Sequence, residues 1–484
     1  MTTNSTDRPS LTGTVGEFRP GSWTPKLIVT LVALVVGGEL GGLAFLYPIS
    51  ALPGIAAEFQ TDQVGWVATA HSLAGGVSAA LIGNLADRFG KKRVMLVVIA
   101  LAFVGLIVSA TAPTFGVLLI GRVLTGPTLA VAFLIPSLIR DLYPTKILPF
   151  ATSVGTTGSG ALAIVASLLV GTVILSFGFR GTFWIPAIFT VISFVVVAIF
   201  VPEGRRSENR ASLDLLGAAL LGLGAAGLLL AVSLVQSLGF TSPVIITAFI
   251  VGALLIAGWV IRSLKVLEPL VDLRLLATRP ALITLSLSAL GVPLIVWFYT
   301  LMAMVPIASG DGWGLGLPQT SVSLFTALFV AVGLATAFVA GRALSRVSVP
   351  AVAIFAAVEG IVGYIVAFLG LSSVPLFIIA TILVGGLTGF VYAVTYNLVV
   401  LVVAPQHQAT TASVVSLCAN FGSAVTSVVI FAFMNAQPQT IPGLYGHSAL
   451  ALATLIPAAM AVVVLVLSVV LLRGRQVLQA GEAS

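Results

Sequence analysis

Four ionisable side chains lie inside long apolar runs: Glu39 in Gly37-Gly38-Glu39-Leu40-Gly41-Gly42, His71 in Thr69-Ala70-His71-Ser72, Arg122 in Gly121-Arg122-Val123, and Glu359 in Val358-Glu359-Gly360. A charge at the centre of a bilayer costs roughly 2.5–3.5 kcal/mol on insertion scales, so each of these groups needs a reason to be there. A carboxyl in such a place can bind or release a proton as water reaches it or withdraws. Glu39 is the leading candidate for that work, with a permanently protonated or ion-paired structural acid as the alternative. It sits about 18 Å of helical rise beyond Leu27, deep in the apolar layer. Arg122 falls about 11 Å from the opposite edge of its own run, near the same depth. The two are expected to approach each other, with Arg122 either modulating proton release or fastening two helices. Glu359 is a candidate second coupling acid, or a packed structural one. His71 titrates near neutral pH and is weighed as a hydrogen-bonded structural group against a cavity residue. Phe45, Tyr47, Tyr392, Tyr396 and Asn397 are expected to line an apolar, sparsely polar pocket.

Other chemistries lack their residues. There is no metal-ligand spacing, no nucleotide-binding Gly-Lys-Ser/Thr loop and no nucleophile triad. Cys418 is the only cysteine and there are three histidines, so no internal disulfide can form. The expectation is a protein that is not an enzyme and uses no cofactor.

The elements that position these groups follow from composition. Of 484 residues, 59% are hydrophobic and 8% charged, with a mean hydropathy of +1.18. A soluble globule needs a larger polar shell, so the lipid bilayer is the solvent. The formal charge of +7 resides in loops and points to membrane orientation rather than nucleic acid. A bilayer-crossing helix needs ~20 apolar residues, and by that measure the chain divides into fourteen runs, too long and continuous for barrel strands. With the N-terminus placed inside, all of the 22 lysines and arginines except Arg122 and Arg180 fall on the cytoplasmic side. Both termini are therefore expected in the cytoplasm, with no cleaved signal peptide.

The expected fold is an all-α integral membrane protein of 14 transmembrane helices. A faint repeat relates the segment from Gly65 to that from Ser321, and Ala151-Thr152-Ser153-Val154 to Thr411-Ala412-Ser413-Val414. It implies two pseudo-symmetric six-helix bundles, residues 27–202 and 280–473, with a site between them near mid-membrane. Residues 203–279 would hold a charged linker and an inserted two-helix hairpin; 1–26 and 474–484 would be cytoplasmic tails.

One charged turn between two apolar runs carries a recognisable pattern: Gly83-Asn84-Leu85-Ala86-Asp87-Arg88-Phe89-Gly90-Lys91-Lys92-Arg93. It resembles the signature loop of the major facilitator superfamily, Gly-x-Leu-Ala-Asp-Arg-x-Gly-Arg/Lys-Arg/Lys. The resemblance implies a gating role: Asp87 would cap the helix that starts near Thr410 and pair with Arg140, locking one face. Arg122-Val123-Leu124-Thr125-Gly126 is similar to that family's fourth-span motif, with Thr125 in place of glutamine. The fourteen runs, with Leu213-Asp214-Leu215-Leu216-Gly217 and Glu268-Pro269-Leu270-Val271-Asp272 beside the expected hairpin, resemble the fourteen-helix drug:proton antiporters. Two departures stand out. Only Gly171 remains of that family's fifth-span Gly-Pro-x-x-Gly-Gly, at Ala166–Gly171, and the aspartate that the family places nine residues before a first-span proline is Ala44 if matched on Pro53 and Glu39 if matched on Pro48. What the resemblance implies is a monomeric, proton-coupled exporter of amphipathic or cationic small molecules in the plasma membrane. A lipid or metabolite carrier without proton coupling, and a non-transporting sensor or scaffold, are the alternatives.

Overall fold

The computed structural model describes residues 23–482 apart from 145–146, 205–213, 240, 267–268, 271–272, 274–278, 309–313, 345, 403–407, 438 and 442–443. The N-terminal tail to residue 22, the linker cations Arg205, Arg206 and Arg210, and Glu268 and Asp272 lie outside the described residues.

The chain is helical almost throughout. In order come α1 (Pro25–Ser50), α2 (Leu52–Phe59), α3 (Trp66–Phe89), α4 (Lys91–Ala110), α5 (Phe115–Thr125), a 3-10 segment Gly126–Ala130, α6 (Val131–Leu142) and α7 (Leu148–Phe200). Then follow α8 (Leu215–Leu238), α9 (Pro243–Lys265), α10 (Arg279–Met304), α11 (Ser321–Leu344), α12 (Val349–Leu369), α13 (Val374–Val402) and α14 (Gln408–Asn435). Last come two short strands, β1 (Gln439–Ile441) and β2 (Leu444–Tyr445), and α15 (His447–Glu482). The antiparallel pair β1–β2 is a departure from the expected absence of strands. It forms in the polar connection before α15, where the apolar run is interrupted.

Among the described residues, 12 helical stretches are long and apolar enough to cross a membrane, against the fourteen expected. Two of the fourteen expected runs, 150–177 and 181–201, lie within α7 as two helices that meet at a kink, where Gly178 takes the non-helical φ 63° and ψ −167°. The run expected at 63–86 is α3, whose many small and polar residues dilute its apolar character. α15 runs on to Glu482 through the expected tail boundary at 473.

Prolines organise much of the packing. At a first turn they cost nothing, because the N–H they lack has no helical partner there; Pro25 in α1 and Pro243 in α9 are of this kind. Inside a helix, proline deprives the carbonyl four residues back of its donor, and in hydrocarbon that carbonyl needs another partner. Pro48 frees the Ala44 carbonyl, which accepts from Arg122 Nη1 of α5 at 2.6 Å. Pro457 frees the Ala453 carbonyl, which accepts from Trp297 Nε1 of α10 at 2.7 Å. Pro293 frees the Ala289 carbonyl, which points at Gly422 of α14, so closely that a Cβ there would overlap it.

Helices α1–α7 pack chiefly among themselves, as do α10–α15. The face at which α1 begins is called the terminal face below. Tyr143, at the end of α6, donates to Leu27 O at 2.7 Å, and Thr30 donates to Phe200 O at 2.9 Å, so α6 and α7 end at this face. The two helix sets meet along α3–α14 and α7–α11. Polar contacts between them cluster toward the far face. Asn435 Nδ2 donates to Asp62 O at 3.1 Å, Ser427 Oγ to Gly65 O at 3.4 Å, and Gly171 N to Ser323 Oγ at 2.6 Å.

Candidate functional site

Glu39 lies on α1 and is 4% exposed. Among the described residues it makes no ion pair; the four pairs within 4.0 Å are Lys91–Asp141, Arg93–Glu203, Arg180–Glu58 and Arg262–Asp214. Its carboxyl folds back along its own helix over Gly42, where a Cβ would stand 3.2 Å from Oε1. It faces a narrow crevice of about 10 Å³, room for a single water molecule. Tyr47 and Ser50 of α1, Ala166 and Ser167 of α7 and Thr326 of α11 share the lining, so both helix sets contribute to it. Tyr47 is fixed there because its hydroxyl donates to Ala166 O at 2.8 Å. The hydroxyls of Tyr47, Ser50 and Thr326 each donate to a helix carbonyl, of Ala166, Leu46 and Val322, so toward Glu39 their oxygens can accept from a carboxylic acid but cannot donate to a carboxylate.

The expected approach of Arg122 to Glu39 is not observed. Arg122 is fully buried and turned the other way: besides Ala44 O, its Nε donates to Val67 O of α3 at 2.9 Å. The carbonyl that Pro48 releases and the start of α3 claim the guanidinium, binding α1, α3 and α5 together. Arg122 Nη2 has no partner among the described residues. His71, also fully buried, follows the same logic. Thr125 Oγ1 donates to Arg122 O at 2.8 Å and therefore accepts from His71 Nδ1 at 2.9 Å. That fixes the proton on Nδ1, and Nε2 is left without a partner. Phe45 is core rather than cavity lining, 9% exposed with its ring centroid 5.5 Å from that of His71.

Glu359 is far from this cleft in sequence and packing. Its Oε1 lies over Gly386 of α13, close to Thr336 of α11, and its Oε2 is buried without a partner. The absence of a side chain at Gly386 makes the space the carboxyl fills. Tyr392 is 40% exposed although it stands on an inter-helical element. The side chains of Tyr396 and Asn397 lie outside the described residues. Sequence reasoning missed Tyr299 of α10, whose ring centroid stands 4.8 Å from that of Phe329 on α11. The aromatic cluster Trp297-Phe298-Tyr299 was its only signal.

At the terminal face the charged turn is held by acids that the sequence did not single out. Gly83 is half-buried near the end of α3. Gly90 takes φ 102°, which a side chain would resist, and a Cβ there would meet Glu203 Oε1 at 2.5 Å. Glu203 accepts from Lys92 N at 3.2 Å at the first turn of α4, where the helix dipole favours an anion. Lys91 is buried and pairs with Asp141 at 2.6 Å. The expected Asp87–Arg140 pair falls outside what is described, since the Asp87 side chain lies outside the described residues; Arg140 is exposed. Arg88 is exposed as well, over the ring of Phe89.

The sequence model of the Major Facilitator Superfamily matches residues 31–318, more than half of the chain. The chain belongs to that superfamily. This facilitator is 25% identical over 260 residues to the multidrug transporter mfsC of Aspergillus fumigatus, covering 51% of this chain and 49% of that one. It is 26% identical over 389 residues to the uridine/deoxyuridine transporter of Lactococcus lactis, covering 77% and 78%. The chain spans about half the length of the first curated relatives it matches. In fold it resembles the crystal structure of the POT family transporter PepTSo, with TM-score 0.65, 15% identity, and 94% and 99% of the two chains covered.

Proposed function

We propose that this facilitator exports amphipathic or cationic small molecules in exchange for protons, by alternating access. The observation that carries the reading is the unpaired Glu39 carboxyl, facing a crevice to which both helix sets contribute. A carboxylate there attracts a cation, and protonation releases it; the two loads compete for one group. Relative rocking of the two sets changes which face reaches the cleft. Similarity to a multidrug transporter supports the substrate class.

The architecture fits two six-helix bundles with α8–α9 inserted between them. Dividing α7 at Gly178 and counting α3 as a crossing brings the 12 stretches to fourteen. The cation bias supports a plasma-membrane protein with the terminal face and both termini on the cytoplasmic side. Asp87, Arg88 and Arg140 would then act in the cytoplasmic gate, beside the Lys91–Asp141 pair. Arg122 serves as a scaffold for the coupling helix, and Glu359 as a structural acid of the second bundle.

The test is an ethidium flux assay in proteoliposomes under an imposed pH gradient. Export that collapses on removing the gradient, and that Glu39→Gln abolishes, supports the reading. A metabolite carrier is the second reading, favoured by likeness to a uridine/deoxyuridine transporter over most of the chain. Gradient-independent uridine uptake that survives Glu39→Gln would establish it instead.

A further inference from the structure

α8 lies against both helix sets at once. Its Ala225 and Leu229 pack with Leu73 of α3 and with Ala424 and Val428 of α14, along the seam where the two sets meet. α9 clasps it from outside: Gly224 and Gly252 let the two backbones approach so closely that a Cβ on Gly252 would stand 2.9 Å from Gly224 O.

The two ends of α8 are fastened differently. At the terminal face, Asp214 caps the helix by accepting from Gly217 N at 2.8 Å. The same carboxylate accepts from Arg262 Nε of α9 at 2.7 Å and from Leu270 N at 3.1 Å, in the connection that leads into α10. This end therefore belongs to the second helix set. At the far face, Ser233 Oγ accepts from Trp66 Nε1 at 2.9 Å and donates to Gln63 Oε1, both at the start of α3. That end is tied to the first set. Between the ends, the contact with α14 is apolar among the described residues, with no side-chain hydrogen bond between the two helices.

The same corner holds the far-face closure. Asn435 at the end of α14 donates to Asp62 O and accepts from Tyr445 OH at 2.8 Å, and Gly65 leaves room for the Phe431 ring. Asp62, Gln63, Trp66, Ser233 and Asn435 line one small pocket, together with Val428 and Phe431. Three elements thus converge on it: one from each helix set, and α8.

We propose that α8 is a diagonal strut of the far-face gate, with Ser233 as its releasable end. The proposal rests on alternating access. When the far face opens, the start of α3 swings from the end of α14. A helix anchored through Asp214 to the second set cannot follow the start of α3, so the Ser233 bonds break in each cycle. While they hold, they add to the Asn435–Asp62 contact in keeping that face shut.

The test uses spin-label distances in nanodiscs on the full chain. Cys418→Ser removes the single native thiol, and Ala57→Cys with Ala436→Cys places labels on α2 and at the end of α14. Ser233→Ala should raise the population with a long far-face distance about thirty-fold, the worth of two net hydrogen bonds. Trp66→Phe should raise it less, Ser233→Thr should restore it, and thermal melting should show all of them folded. A Ser233→Ala distribution identical to the parent, while Asn435→Ala lengthens it, would remove α8 from the gate and leave alternating access standing. A single short distance in every variant, with and without ethidium and at both pH 5 and pH 8, would overturn the strut together with the rocking motion it depends on.

Discussion

Arg122 is the donor that Pro48 makes necessary. The proline leaves Ala44 O without its helical N–H, and the guanidinium, 2.6 Å away, takes that place from a different helix. An arginine buried in an apolar run is thereby explained without any charge partner.

Arg122→Ala should therefore destabilise the protein by about 3 kcal/mol, since it removes two charge-assisted bonds to buried carbonyls. Pro48→Ala returns an N–H to α1, so the double variant should lose at least about 1 kcal/mol less than the sum of the two single changes. Thermal melting in detergent decides it. Additive losses would mean that the two positions act independently.

The Lys91–Asp141 pair offers a second stability test. Both side chains are nearly withdrawn from solvent, at 7% and 11% exposure. Asp141→Asn or Lys91→Met alone strands a charge or a polar group and should cost about 3–5 kcal/mol. Lys91→Met with Asp141→Leu should recover most of it, read by the same melting experiment.

Asp214 sets an acid limit. Burial pushes its carboxyl up, but hydrogen bonds from Arg262, Gly217 N and Leu270 N outweigh that and hold it below the ordinary value of 3.8. A depressed folded-state value means that the stabilisation is complete above the unfolded value and is lost as pH falls through the folded one. The melting temperature should thus decline as pH drops below about 4. In Asp214→Asn it should start lower and decline less; an equal slope in both proteins would locate the acid sensitivity elsewhere.

Gly422 is the position least able to accept a side chain. Gly422→Ala would drive a methyl into the carbonyl that Pro293 releases, and backbone cannot turn aside as a side chain does. A loss of at least about 3 kcal/mol is expected, seen as failure to purify a monodisperse protein at 37 °C expression.

For the cleft, Glu39→Gln should lower gradient-driven flux by at least about ten-fold while leaving melting unchanged or raised, because an unpaired buried acid is replaced by a neutral isostere. Gly42→Ala crowds the carboxyl without altering its charge and should reduce flux by a smaller factor. Equal flux in Glu39→Gln and the parent would remove this acid from the mechanism.

The helices were legible because apolar runs of bilayer length have one solution in lipid. The turn at Gly90 was legible because two glycines and four cations interrupt two such runs. Burial of Glu39 was legible too, from its depth along α1. The partner of Arg122 was read as Glu39 by depth alone, whereas rotation about the helix axis turns the two apart. A proline and a buried donor at matching depths was the usable signal, and it recurs in Pro457 with Trp297. Asp141 and Glu203 were not foreseen, because an acid at a helix end is ordinary in sequence. Only the return of the chain past α4 gives these two their cations. Glu359 was read as either a second coupling acid or a packed one; its pocket over Gly386 is built by the three consecutive helices α11, α12 and α13, and which of their faces meet is not written in the apolar runs.

The proline-freed carbonyls tie distant stretches of the chain into mutual debt. A variant that loses Trp297 uncovers a polar atom on α15, and one that loses Pro457 leaves an indole N–H with no vacant acceptor. Each position is tolerable only in the company of the other, so sequences drifting from this one should alter such couples in concert, and libraries that randomise one member alone will read both as intolerant.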